Sequence, residues 1–253
     1  MGRTCMTYEF DHLVVMARDC VDSAAQSMID LGFFLTPTAH HNLGSINRLA
    51  IFQDTYLEIL GWEPNGSPIR REIADEPYGL NALVFKTTDA ARCRQLLIDA
   101  GFNPNPVQDL TRPAEVAGEL KTAEFKTVRF ATQPIQGLRV YFCQHLTPEF
   151  VWQSRHMTHP NGITTLDEIT ISAGDPAFVY QALRRLLNSA GGDTESGYSP
   201  SGPLTIQLSN TQLVILKGPI DRTTQISSCV LGLGNSRIKK IITNDTFRFV
   251  KRT

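Results

Sequence analysis

"YEFDHLVVMA", residues 8–17, sets an Asp–His pair into an otherwise apolar run. Val14, Val15 and Met16 read as a buried strand. Asp19, with Asp22 close behind, reads as the start of a helix. Val21, Ala24, Ala25, Met28 and Leu31 then recur at helical spacing, and Gly32 ends the run. The pattern returns further along the chain. "LDEITISAGDPAFVYQALRRLL", residues 166–187, puts Asp167 where Asp11 stood, Glu168 where His12 stood and Asp175 where Asp19 stood. At the same offset, "TQLVIL" (211–216) falls on "TYLEIL" (55–60), so Val214 takes the place of Glu58. One offset joining two separate matches marks an internal repeat. A looser echo lies between them. "LNALVF" (80–85) precedes a helical stretch that leaves through "IDAGF", as the first leaves through "IDLGF".

Each unit adds strands after its helix. "SINRLAIFQ" (45–53) and "TYLEILGW" (55–62) are joined by a tight hairpin at Gln53-Asp54. "AEFKTVRFATQ" pairs with "LRVYFCQH" across "PIQG", and "LTIQLSN" pairs with "QLVILKG" across Asn210-Thr211. The polar, Pro-rich residues 103–122 are expected to form a long loop, as are residues 190–203. "LGLGNS" (231–236) reads as a turn, and the basic tail from Arg237 to Arg252 as a solvated face.

Composition narrows the function classes. A chain of 253 residues with net charge -1 carries no basic footprint for nucleic acid and no polybasic membrane patch. No apolar run is long enough to span a bilayer, and the first ten residues lack the apolar segment of a secretory signal. Five cysteines without CxxC spacing read as reduced thiols of a cytoplasmic protein. No phosphate-binding or dinucleotide-binding glycine motif is present.

Strand–helix–strand–strand–strand units, with His on a first strand and Glu on a last strand, resemble the vicinal oxygen chelate superfamily. Within it the chain is similar to the glyoxalase-like group. The resemblance rests on "FDHLVV", "HHNLGSINRLAIFQDTYLEILGW", "YFCQHLTPEFVW" and "HPNGITTLDEI", and covers roughly residues 8–190. It implies an α+β fold of repeated βαβββ units forming curled mixed sheets. Residues 1–150 would hold two paired units, and residues 151–253 a third related unit with C-terminal strands. It further implies a small-molecule site in the concave face, a metal held there by one first-strand and one last-strand ligand per unit, and a homodimer.

The chemistry follows from strand alternation. His12, Val14 and Met16 are expected on one face, with Asp11, Leu13 and Val15 on the other. Glu58 shares a face with Tyr56 and Leu60. An ionised Glu58 in an apolar run needs a partner, and His12 across a common cavity supplies one, or shares a divalent metal with it. Imidazole with carboxylate suits Zn, Fe, Ni or Mn, which would polarise a carbonyl or stabilise an enediolate. In the second unit the positions matching His12 and Glu58 are Asn81 or Ala82, and Tyr141. His145, in register with Tyr141 and Cys143, is the third candidate metal ligand. The set is completed by water, or there is no metal. His41, Asn47 and Arg48 are candidates for substrate binding, Arg48 by a two-pronged bond to a carboxylate. Tyr141, His159 and Asn161 join them. The expected function is a lyase, isomerase or hydrolase acting on an oxygen-rich substrate, with His12 and Glu58 as catalytic residues. The alternatives are a metal-free protein that encloses an antibiotic-like molecule, and a dimeric scaffold with a degenerate cavity.

Overall fold

The computed structural model describes residues 8–191, 195–197, 202–219, 223–233 and 239–250. Cys5, half of the 190–203 segment, Arg237, Lys251 and Arg252 lie outside the described residues, as does the second half of "LGLGNS". The elements are β1 (Phe10–Arg18), α1 (Val21–Asp30), β2 (Ala39–His40), β3 (Ile46–Ile51), β4 (Tyr56–Gly61), α2 (Arg71–Ala74), β5 (Gly79–Lys86), α3 (Ala90–Asp99), β6 (Gln108–Val116), β7 (Glu119–Val128), β8 (Arg139–His145), β9 (Thr165–Ala173), α4 (Pro176–Ser189), β10 (Glu195–Gly197), β11 (Leu204–Gln207), β12 (Gln212–Lys217), β13 (Gln225–Gly232) and β14 (Lys239–Thr243).

Strands β1–β8 form one mixed sheet in the order β2-β3-β4-β1-β5-β8-β7-β6. It is two βαβββ units joined through the antiparallel pair β1–β5, each with its first and last strands parallel. The sheet curls until its edges meet. Asn42 N–H donates to Thr111 O, and Thr111 N–H donates to Asn42 Oδ1, both at 3.0 Å. The second sheet runs β10-β11-β12-β9-β13-β14. Its first unit repeats the first unit of the chain in register. Glu168 faces Gln212 and Thr170 faces Val214, as His12 faces Tyr56 and Val14 faces Glu58. The offset seen in the sequence is a structural repeat.

Local chemistry sets the element ends. The Asp89 carboxylate accepts from Arg92 N–H at 2.9 Å to start α3, and Asp175 accepts from Phe178 N–H at 3.0 Å to start α4. Helix α1 departs from the expectation. No side chain caps it, and Asp19 instead accepts from the Tyr78 hydroxyl at 3.0 Å. Gly32, with φ 83°, ends α1 as expected.

Residues 103–122 are not a long loop. Most of them build the β6–β7 hairpin, turned by Ala117 and Gly118, both in the left-handed region that a type I′ turn requires. Leu110, Arg112 and Ala114 are buried while their neighbours are exposed or half-buried, a period-two pattern. Pro113 is tolerated because β6 is an edge strand.

Two apolar clusters result. One is continuous between the two sheets and the helices, and includes Phe10, Leu13, Val15, Ile169, Ile171 and Leu183. The other fills the hollow of the first sheet, with Val14, Met16, Leu60, Val84, Tyr141 and Cys143.

Candidate functional site

The Asp–His pair sits at a fault in the β1–β5 ladder. Pairing jumps from Phe10–Phe85 to His12–Val84, so Asp11 is the extra residue of a β-bulge. Phe10 and Leu13 face the outer core, while Asp11 and His12 both turn into the hollow. This corrects the expectation that Asp11 opposes His12: strict alternation fails where one strand carries an additional residue. The bulge is braced from the second sheet. Asn210, in the turn between β11 and β12, accepts from Phe10 N–H through Oδ1 (3.0 Å) and donates to Phe10 O through Nδ2 (2.9 Å). Beside it, Ser209 N–H donates to Tyr8 O at 3.0 Å.

Asp11 is fully buried, and its Oδ2 lies 2.8 Å from His12 Nδ1 and 2.9 Å from His145 Nε2. An ionised carboxylate accepts from both, which fixes the proton of His12 on Nδ1. Nε2 of the same ring then faces the Tyr141 hydroxyl at 3.2 Å and Glu58 Oε2 at 3.5 Å. The ring stacks on Tyr56, with centroids 4.4 Å apart and planes at 12°. Glu58 Oε1 accepts from Asn47 Nδ2 at 2.7 Å. Asn47 Nδ2 lies 3.4 Å from His41 Nε2, and His41 Nδ1 lies 2.9 Å from Ser45 Oγ.

Burial by itself would raise both carboxyl pKa values. For Asp11, the charges and hydrogen bonds of His145 and His12 overcome burial and hold it below the ordinary carboxylate range. For Glu58, His12 and Asn47 do the same. Burial would lower the His12 pKa, but hydrogen bonds to Asp11 and Glu58 raise it. Burial pushes His41 down to about 3, so it is neutral. Burial and the Glu58 charge push the Tyr141 phenol up, so it keeps its proton.

Of the residues expected at the site, His12, His41, Asn47, Glu58 and Tyr141 line one inner cavity. His145 joins them indirectly, through Asp11. Three do not converge there. Arg48 points to the opposite face of β3 from Asn47 and donates through Nε to Thr36 O at 3.0 Å. His159 ties the connection between the sheets to the first unit: Phe34 N–H donates to its Nδ1 (3.1 Å), and its Nε2 donates to Ile51 O (2.9 Å). Asn161 Nδ2 donates to Leu31 O at the end of α1 (3.0 Å).

The sequence reading missed the inward turn of Asp11 and three arginines that line the cavity: Arg70, Arg112 and Arg129. Each is 7% exposed. The signal for Arg112 was present, since it alternates with Leu110 and Ala114, but the Pro-rich context concealed the strand. The inner cavity has about 20 Å³, room for one water-sized group. Arg112 also walls an outer groove of about 270 Å³ lined by Ala39, Ile51, Leu120, Phe150 and Val151.

A family model described as a glyoxalase-like domain matches residues 10–187. The chain belongs to the glyoxalase-like domain family. The curled sheet of paired βαβββ units is the fold of the vicinal oxygen chelate superfamily. Among solved structures, the glyoxalase-like chain is similar to a hypothetical protein from Staphylococcus aureus. The TM-score is 0.69 at 11% identity, covering 89% of this chain and 91% of that one. A triple mutant of 4-hydroxymandelate synthase from Streptomyces coelicolor matches with TM-score 0.50 at 12% identity, covering 89% and 71%. A xylose isomerase-like TIM barrel/4-hydroxyphenylpyruvate dioxygenase fusion protein matches with TM-score 0.50 at 13% identity, covering 90% and 36%. At these identities the likeness is one of fold. A comparison with curated proteins returned no match.

A resident divalent metal can be tested against the donors of this glyoxalase-like site. Glu58 pairs with the strand position Val14, and Tyr141 pairs with Val84. The counterpart of His12 in the second unit is therefore Ala82 rather than Asn81. A methyl group and a neutral phenol do not complete a four-ligand centre. Ligand atoms of Asp11, Cys143 and His145 lie within 4.8 Å of one another, close enough for one ion. However, burial and the Asp11 charge push the Cys143 thiol up, so no thiolate is preformed there and an ion would have to displace its proton. Asp11 Oδ2 is already shared by two imidazoles. The three arginines of the inner cavity also oppose a further dication. These donors do not fit a zinc, iron, nickel or manganese centre.

Proposed function

We propose that this glyoxalase-like protein is a small-molecule enzyme of lyase or isomerase type that moves a proton on an oxygen-bearing substrate, with His12 and Glu58 as its acid–base pair and no resident metal. The observation that carries the reading is the 3.5 Å separation of His12 Nε2 and Glu58 Oε2, with the other ring nitrogen tied to Asp11. Glu58 is ionised and accepts the proton. His12, protonated on both nitrogens between Asp11 and Glu58, donates through Nε2, and the neutral Tyr141 hydroxyl donates beside it, to the oxygen on which charge develops. The inner cavity admits one oxygen-sized group, which suits a carbonyl or hydroxyl held against these donors. The nearby guanidiniums supply the positive charge that a metal supplies elsewhere in the superfamily. Asp11 and His145 are positioning residues.

The test is solvent-deuterium incorporation into a panel of small α-hydroxy and α-keto compounds in D₂O, read by proton NMR. Exchange that survives EDTA and is lost in Glu58→Gln and in Tyr141→Phe supports the reading. Exchange that EDTA abolishes and a divalent metal restores refutes the metal-free mechanism. The apolar outer groove favours a second reading, a protein that binds a small molecule without turning it over. Saturable binding with no exchange for any compound would assign that role instead. A homodimer belongs to the same proposal and is checked by light scattering. So does a reducing, cytoplasmic setting, which the buried thiols Cys93, Cys143 and Cys229 support.

A further inference from the structure

Arg112 does more than add charge to the inner cavity. It belongs to the wall of both the inner cavity and the outer groove, is 7% exposed, and has no carboxylate within salt-bridge distance among the described residues. Its hydrogen bond is to the neighbouring Pro113 carbonyl at 3.4 Å, and its guanidinium lies 5.8 Å from the centre of the Phe125 ring. The carboxylate whose charge reaches it, Glu58, is committed to Asn47 and His12. Other charged groups of the groove are balanced locally. Arg155 pairs with Glu115 at 3.0 Å, and His40 with Glu63 at 2.6 Å. Burial and the Arg155 charge lower the His156 pKa, which favours its neutral form. A buried guanidinium without a counter-charge is costly. It is retained at a ligand site when the ligand brings the charge.

We infer that Arg112 is the anchor for an oxyanion, a carboxylate or phosphoryl group, on a substrate whose apolar body lies in the outer groove and whose reacting oxygen enters the His12–Glu58 cavity. This specifies the substrate class of the proposed enzyme and rests on that reading for the reacting oxygen alone. The anion subsite stands on Arg112 and the groove.

The experiment uses the whole chain, thermal unfolding and isothermal titration with three probes: phenylacetate, phenylacetamide and inorganic phosphate. Phenylacetate is expected to bind and raise the unfolding midpoint, while the neutral amide does neither. Phosphate binding in place of phenylacetate assigns the subsite to a phosphoryl group and also supports an oxyanion anchor. Arg112→Met is expected to weaken binding about tenfold or more while raising the midpoint of the ligand-free protein, because an unpaired buried charge is gone. A residue that merely held the fold would not move these two readouts in opposite directions. Should Arg112→Met fail to fold, Arg112→Lys keeps the charge without the planar fork and is expected to bind more weakly than wild type. Glu58→Gln separates the two proposals: it is expected to lose proton exchange and to bind the anion at least as well. Equal binding of acid and amide, or undiminished anion binding in a folded Arg112 variant, overturns the inference.

Discussion

Replacing Asp11 with Asn changes the charge and almost nothing in shape, which makes it the sharpest test of the bulge. In the wild type one oxygen accepts from two buried imidazoles, at 2.8 and 2.9 Å. An amide offers one acceptor oxygen and one donor NH₂. It satisfies one ring and turns a donor toward the other, or forces that ring into its second tautomer. A hydrogen bond to a buried charge contributes about 1.5–3 kcal/mol. Removing one member of a buried charged group costs about 3–5 kcal/mol. Asp11 Oδ1 has no partner among the described residues, so the wild type already carries part of that desolvation cost. The expected loss is therefore at the lower end, about 3 kcal/mol, or about 6–12 °C in Tm for a chain of this size. Urea unfolding followed by tryptophan fluorescence measures it. Trp152, whose ring centre lies 4.9 Å from that of His145, reports from beside the site. The proton on His12 Nδ1, read from imidazole ¹⁵N shifts, should also lose its fixed position. A loss below about 1 kcal/mol with unchanged shifts would mean that Asp11 does not hold the two rings, and the account of the site would fail.

Two further predictions concern the frame around the site. Asn210→Ala removes both hydrogen bonds to Phe10 and should cost about 1–2 kcal/mol in urea unfolding; it should also shift the His12 imidazole resonances although residue 210 lies on the other sheet. Unchanged His12 resonances would show that the second sheet does not brace the bulge. Stability should also depend on pH with a definite sign. Burial lowers the His41 pKa from 6.5 to about 3 and also lowers that of His159. The unfolded chain therefore takes protons first, and stability falls as pH drops below about 6.5, by about 1.4 kcal/mol per unit for each such group. His12 has the opposite sign. Its raised pKa contributes stability that is complete below about 6.5 and is lost as pH rises through the folded-state value. Urea midpoints should thus fall on both sides of that pH, and His41→Gln should flatten the acid side. A midpoint that does not change between pH 7 and pH 5 contradicts neutral, buried histidines.

Periodicity and repetition marked the repeated strand–helix–strand units, though not β6, and the curling of the sheet was implied by the family resemblance. The offset that carries Asp11 to Asp167 and Glu58 to Val214 is a nearest-neighbour property of β1–β4 and β9–β12, and strand pairing preserves it residue by residue. The convergence of His12 and Glu58 was legible for the same reason, since both lie on adjacent parallel strands and alternation sends them to one face. Asn47, His41 and Tyr141 followed from that face. Arg48 did not, because it immediately follows Asn47 on the strand and so takes the other side.

Only the tertiary structure decided the charge of the hollow. A single extra residue in the β1–β5 ladder turns Asp11 inward, and no local pattern announces a bulge whose brace, Asn210, comes two hundred positions later. Arg70, Arg112 and Arg129 arrive from a loop, an edge hairpin and a strand end, brought together by curling of the sheet. Alternation along a strand is a short-range rule and can be read from the chain. Which charges share one low-dielectric cavity depends on closure of the whole sheet, a long-range property that is fixed when the edges meet at Asn42 and Thr111.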